Sequence, residues 1–107
     1  YMMGNEGYPV YATAKSAITG LTRSLARELG PFNIRVNAIM PGWVLTKRQM
    51  DLWATEEGLS KHLDRQCLKE HLSGSDMVGG TLFLASSTSK MMTSQALVID
   101  GGVVVTG

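Results

Sequence analysis

The chain has 107 residues, 44% of them apolar and 18% charged, and a formal net charge of +1. These values suit one globular domain and argue against wholesale disorder. With no basic tract and few aromatics, neither nucleic acid nor an anionic membrane is expected as a partner. No apolar run approaches the ~18 residues of a membrane helix, and no signal-peptide pattern is visible. Cys67 is the one cysteine, so no internal disulfide can form and a cytoplasmic location is expected.

Residues 1–8 carry two glycines and no helical period, and read as a loop. Pro9 suits the first turn of a helix, where its missing N–H is no loss. Ala14, Ile18, Leu21, Leu25 and Leu29 then recur at spacings of four and three, which predicts an amphipathic helix to Leu29 with Ala14, Ile18, Leu21 and Leu25 buried. Arg27 and Glu28 fall outside the stripe and are expected to be exposed. Gly30-Pro31 is a stop, with glycine free to take a left-handed cap.

Ile34 to Met40 has the composition of a buried strand, ended by Pro41-Gly42. A mixed stretch follows from Thr46 to Leu72. Within it Thr55 is a candidate N-cap ahead of Glu56 and Glu57, with Leu59, Leu63 and Cys67 on one face. Ser75-Asp76 starts a further helix, to about Ala85. Its Gly79-Gly80 pair predicts close backbone approach to a neighbour. Ala96 to Asp100 is the second strand, and helix followed by strand, twice over, argues for parallel βαβ organisation.

Tyr11 and Lys15 are one helical turn apart on one face. A phenol ionises near pH ~10, and a cation beside it favours the phenolate, which makes such a pair a proton-transfer device. On spacing alone, an ordinary helix face with an exposed lysine is the simpler account. His62, Cys67 and His71 invite a metal reading, but their spacing does not place all three on one helical face. Cys67 has no evident base or cation to activate it. No G-x-G-x-x-G or P-loop is present to cradle a phosphate.

The flanks decide between these readings. Tyr11-Ala-Thr-Ala-Lys15 is followed by Leu25-Ala26-Arg27-Glu28-Leu29-Gly30, Ile34-Arg35-Val36-Asn37-Ala38-Ile39-Met40-Pro41-Gly42 and Trp43-Val44-Leu45-Thr46. Leu82-Phe83-Leu84-Ala85-Ser86 and Val98-Ile99-Asp100-Gly101-Gly102 come later. In this order the motifs resemble the C-terminal half of the short-chain dehydrogenase/reductases, over essentially the whole chain. The resemblance implies an α/β fold: a partial Rossmann-like parallel sheet, its last two strands, with three to four helices and without the N-terminal cofactor-binding half. Residues 1–107 would then be a single partial domain, the catalytic and substrate-binding half. The family's Gly-rich loop, Asn-rich motif and catalytic serine would lie upstream of Tyr1.

The resemblance also implies roles. Tyr11 would exchange a proton with the substrate while hydride passes to or from NAD or NADP. Lys15 would assist Tyr11 and bind the nicotinamide ribose. Pro41 and Gly42 would close over the nicotinamide, and Val44, by its backbone, and Thr46, by its hydroxyl, would meet the carboxamide. Asn37 would be structural. Trp43, Gln49, Trp53 and Arg65-Gln66-Cys67 resemble members that oxidise free sugars, although a tryptophan is more often a packing residue. The isolated chain is expected to be inactive and to form a homo-oligomer, a symmetry mate replacing the missing neighbours of its sheet. The alternative is a non-catalytic remnant, acting as a self-associating structural or small-ligand-binding module.

Overall fold

A computed structural model of the chain describes residues 9–52 and 54–104. The expected loop over residues 1–8, Trp53 and the last three residues lie outside the described residues. Among the described residues there are four α-helices, α1 (Pro9–Leu29), α2 (Lys47–Leu52), α3 (Glu56–Arg65) and α4 (Val78–Ala85), and two strands, β1 (Ala38–Pro41) and β2 (Ala96–Ile99). Short 3-10 turns stand at Gly30–Phe32, Gly74–Met77 and Ser87–Ser89. The architecture is α/β, with β1 and β2 forming a two-stranded sheet. Ala38 N–H donates to the Gln95 carbonyl at 2.9 Å and Gly42 N–H to the Ile99 carbonyl at 2.8 Å. The register advances in the same direction on both strands, as parallel pairing requires.

The described residues fall into two compact units: those of Tyr1–Ile39 with Phe83–Leu97, and those of Met40–Leu82 with Val98–Gly107. In the first unit α1 has the predicted bounds, but its burial does not follow the stripe. Thr22 and Ala26 are its buried residues, while Ala14 is exposed and Ile18 and Leu21 are 50% and 57% exposed. Arg27 and Glu28 are exposed as expected. The cause is coverage. A helix of 21 residues is ~31 Å long, whereas two strands of four residues present a sheet only ~13 Å by ~5 Å. The stop after α1 also differs from expectation. Gly30 joins a 3-10 turn with Pro31 in its first positions, and Asn33 takes the left-handed conformation, at φ 60°.

The strand expected from Ile34 begins only at Ala38, because polar side chains take over the pairing before it. Arg35 donates through one guanidinium nitrogen to Ser89 Oγ (3.0 Å) and the Met92 carbonyl (3.1 Å). Through the other it donates to the carbonyls of Leu84 (2.8 Å) and Ser86 (3.2 Å). Val36 N–H donates to Thr93 Oγ1, Asn37 Nδ2 to the Met92 carbonyl, and Gln95 N–H to Asn37 Oδ1. Arg35 thus satisfies carbonyls at the end of α4, where the helix dipole favours a cation. Asn37 is structural, as expected.

In the second unit Thr55 caps α3, accepting from Gly58 N–H at 3.0 Å. Lys69 Nζ closes the other end on the carbonyls of Leu63, Asp64 and Gln66. Leu59 and Leu63 are half-buried, but Cys67 lies past the end of α3 and is exposed. The helix expected from Ser75 opens as a 3-10 turn, with Ser73 N–H donating to Asp76 Oδ2 at 2.7 Å. Among the described residues none lies within 4 Å of where a Cβ on Gly79 would stand, so Gly79 itself is not a point of close approach.

Arg35→Ala removes four hydrogen bonds from one charged, half-buried donor and is expected to cost about 1.5–3 kcal/mol, because Asn37 and Ser89 still donate to the same carbonyls. Arg35→Lys recovers little of it, lacking the planar fork. Leu21→Ala, at an exposed position, is expected to cost under about 1 kcal/mol. Urea melts of the three variants check this; an equal shift for Leu21→Ala and Arg35→Ala overturns the ranking.

Candidate functional site

Tyr11 and Lys15 lie in the first turns of α1, which Pro9 opens. The Lys15 ammonium stands 5.2 Å from the centre of the Tyr11 ring, the predicted one-turn pairing. Tyr11 is 58% exposed, so its ring is open to a reactant. A cation over the ring face lies within the range of cation–π attraction.

Pro41, Gly42, Val44 and Thr46 lie together in the second unit, at the carboxyl end of β1. Doubly wound sheets bind ligands at such strand ends. Gly42 is required there: a Cβ at this position would come within 2.8 Å of Asp100 Cα and 2.9 Å of Leu72 Cδ1. Val44 forms an isolated parallel bridge with Leu72, and Leu45 N–H donates to the Leu72 carbonyl at 2.9 Å. Thr46 is exposed and caps α2, its hydroxyl accepting from Gln49 N–H at 3.3 Å. That bond uses the oxygen as acceptor and leaves the hydroxyl hydrogen to donate elsewhere. Taken alone, Thr46 reads as a helix N-cap, and the structure places it as one ahead of α2.

Beside this loop, Trp43 Nε1 donates to Gln49 Oε1 at 3.1 Å. The Trp43 ring meets His62 edge to face, with centres 5.3 Å apart. His62 Nε2 is enclosed and has no hydrogen-bond partner. Burial, then the charge of Arg65 and His71, holds its imidazole below the ordinary 6.5, against an opposing pull from Asp100. Cys67 Sγ donates to the Gly102 carbonyl at 3.2 Å. Among the described residues no group of His, Cys, Asp or Glu is arranged to hold a metal ion. No helix among them is long and apolar enough to cross a membrane.

The model of the protein family described as enoyl-(acyl carrier protein) reductase matches residues 2–104. Over 96% of its length the chain is 54% identical to the probable galactose dehydrogenase of Rhizobium meliloti, covering 40% of that protein. Over 94% it is 44% identical to D-xylose 1-dehydrogenase of Caulobacter vibrioides, again covering 40% of the relative. A solved structure, a short-chain dehydrogenase from Leptospira borgpetersenii with bound NAD+, superposes with a TM-score of 0.82 at 36% identity. It matches 91% of this chain and 36% of its own. The chain thus spans about two fifths of the length of the curated relatives it matches.

The lowered ionisation of His62 carries a pH signature. The unfolded chain takes up the proton first, so this contribution to stability is complete above about pH 6.5 and falls as the pH drops below it. Urea midpoints measured from about pH 7.5 to 5.5 are expected to decline, and His62→Asn is expected to flatten that part of the curve. An unchanged slope in the variant would falsify the assignment.

Proposed function

The chain belongs to the short-chain dehydrogenase/reductase family, and from that premise we propose that it is the C-terminal part of an NAD(P)-dependent oxidoreductase acting on an alcohol or carbonyl, a sugar being the favoured substrate. The observation that carries this reading is the Lys15 ammonium 5.2 Å from the Tyr11 ring centre. Sugar substrates are favoured by the 54% and 44% identity to a probable galactose dehydrogenase and to D-xylose 1-dehydrogenase.

In this reading Tyr11 gives its phenolic proton to the substrate oxygen during reduction and takes it back during oxidation. Lys15 stabilises the tyrosine oxygen when that proton is gone, and its ammonium donates to the nicotinamide ribose. Pro41 and Gly42 would close the sheet edge over the nicotinamide. The Val44 backbone and the Thr46 hydroxyl hydrogen bond the carboxamide. Nicotinamide, when bound, supplies the hydride or accepts it. The sequence has no Gly-rich cradle, so the pyrophosphate contacts come from chain beyond these 107 residues, and the isolated chain has no turnover. A reducing cytoplasm suits the free thiol of Cys67.

A second reading, a self-associating module, rests on the apolar surface of α1. Val10 is 82% exposed, and Ile18 and Leu21 are at least half exposed. This favours a homo-oligomer in which a second copy covers the helix. Light scattering at low micromolar concentration is expected to give at least twice the chain mass, and Leu21→Lys to reduce it. A stable monomer removes this reading.

For the catalytic reading, the test uses the protein carrying this chain together with a cofactor-binding half. Tyr11→Phe is expected to lower turnover at least ~10²-fold while cofactor binding persists, and Lys15→Ala to damage both. Turnover retained in Tyr11→Phe rejects the mechanism.

A further inference from the structure

Gln66 is the largest fully buried side chain among the described residues, at 2% exposure. A primary amide carries two N–H donors, and burying it is tolerated only where they are bonded. Both donors are used within the second unit: Gln66 Nε2 donates to the carbonyls of Leu68 and Glu70. These bonds wrap residues 66–70 around their own first side chain.

The wrapped loop is keyed to the turn after β2. Gly101 lies in the left-handed region at φ 68°, and a Cβ there would come within 2.6 Å of Gln66 Cδ and Nε2. Only glycine combines that dihedral with that contact. Leu68 N–H donates to the Gly101 carbonyl at 2.9 Å. The turn is held from its own side by Asp100, whose two carboxylate oxygens accept from Gly102 N–H and Val104 N–H, each at 2.8 Å. At its far end the same loop runs into Leu72, which pairs with Val44 and accepts from Leu45 N–H, and whose Cδ1 lies against Gly42. The segment 42–46 is therefore fastened on one side by Leu72, whose own path is set by a loop that Gln66 folds.

We propose that Gln66 is a positioning residue for the reaction. By folding residues 66–72 onto the Asp100–Gly102 turn, it holds Leu72 where it fixes the backbone of Val44 and, next to it, Thr46. The consequence for catalysis rests on the oxidoreductase reading above, in which Val44 and Thr46 meet the nicotinamide carboxamide. The coupling from Gln66 to Leu45 does not rest on it. Gln66 touches no reacting atom in this account and acts through the loop.

The test uses the protein carrying this chain with its cofactor-binding half, and two variants that break the latch from opposite sides. Gln66→Met keeps length and volume but removes both donors, and Gly101→Ala introduces the excluded Cβ. Amide hydrogen exchange is read at Leu68, at Leu45 and, as an internal reference in the other unit, at Ala38. Exchange is expected to accelerate at least tenfold at both Leu68 and Leu45 in each variant, with Ala38 unchanged. In steady-state oxidation of galactose or xylose, KM for NAD(P) is expected to rise about tenfold or more, since small misplacements at a site carry such costs. The pH dependence of turnover is expected to stay as in the parent, because Tyr11 and Lys15 are untouched. Faster exchange at Leu68 with Leu45 still protected and KM unchanged overturns the proposal, and leaves Gln66 only a local fold residue. Acceleration at all three amides in both variants also overturns it, because the variants would then simply loosen the protein. If the parent protein oxidises no sugar with either cofactor while the exchange pattern appears as expected, the oxidoreductase reading fails and the coupling of Gln66 to the 42–46 loop stands.

Discussion

Two strands of four residues, with Ala38 and Ala96 standing 58 positions apart (96 − 38), pair in parallel, and a parallel pair needs a long crossover between its members. Residues 42–95 are that crossover. Its content is constrained at both ends: it must leave β1 over Gly42, where the Asp100 backbone and Leu72 admit no side chain, and return to β2 through Ser94, which takes φ 63°. The pairing sets where every other polar group must find a partner. Before the ladder starts, Arg35, Val36 and Asn37 bond to the segment entering β2. Once it ends, Gly42 and Asp100 meet at the opening of the candidate cofactor loop.

The two ends of that ladder are stabilised by different means. The Arg35 guanidinium gathers four acceptors, three of them backbone carbonyls near or after the end of α4. Asn37 and Ser89 donate to the same carbonyls, so the guanidinium is the charged member of a shared donor set. On the other side a neutral amide, Gln66, and a carboxylate, Asp100, hold the glycine turn. Polar side chains here organise the backbone more than apolar ones do. Ala26 is the single buried hydrophobic residue among the described ones. Many other described apolar residues are half-buried, and the exposed Ile18, Leu21 and Val10 are where further burial is available.

The same economy bears on function. The pair Tyr11 and Lys15 depends on one helical turn and survives wherever α1 is formed. The 42–46 loop depends on contacts with Leu72, Asp100 and the Thr46 cap, so its geometry can be altered by changes far away in sequence. The Tyr11–Lys15 pair can thus be kept while the 42–46 loop is retuned. This division suits a family whose members match along the chain yet carry names for different substrates.

The sequence alone determined what depends on a few neighbouring residues. Pro9 and the apolar spacing set α1 from Pro9 to Leu29; Thr55, with two glutamates after it, set the start of α3. The motif order around Tyr11, Lys15, Pro41 and Gly42 carried the family, as the match over residues 2–104 bears out. Spacing, capping and dihedral preference act within about a turn, and a sequence displays them directly. Tertiary structure decided what depends on what lies opposite. The stripe of Ile18 and Leu21 is patterned for burial yet exposed, because burial needs a partner surface that two short strands do not provide. Gly79 has open space where a neighbour was expected, whereas Gly42 and Gly101 are fixed by Asp100 and Gln66, tens of residues away in sequence. Arg35 and Gln66 read as ordinary polar residues until the fold brings carbonyls within reach of their donors. A hydrogen-bond acceptor left over by one element has no signature in the sequence of the residue that comes to satisfy it.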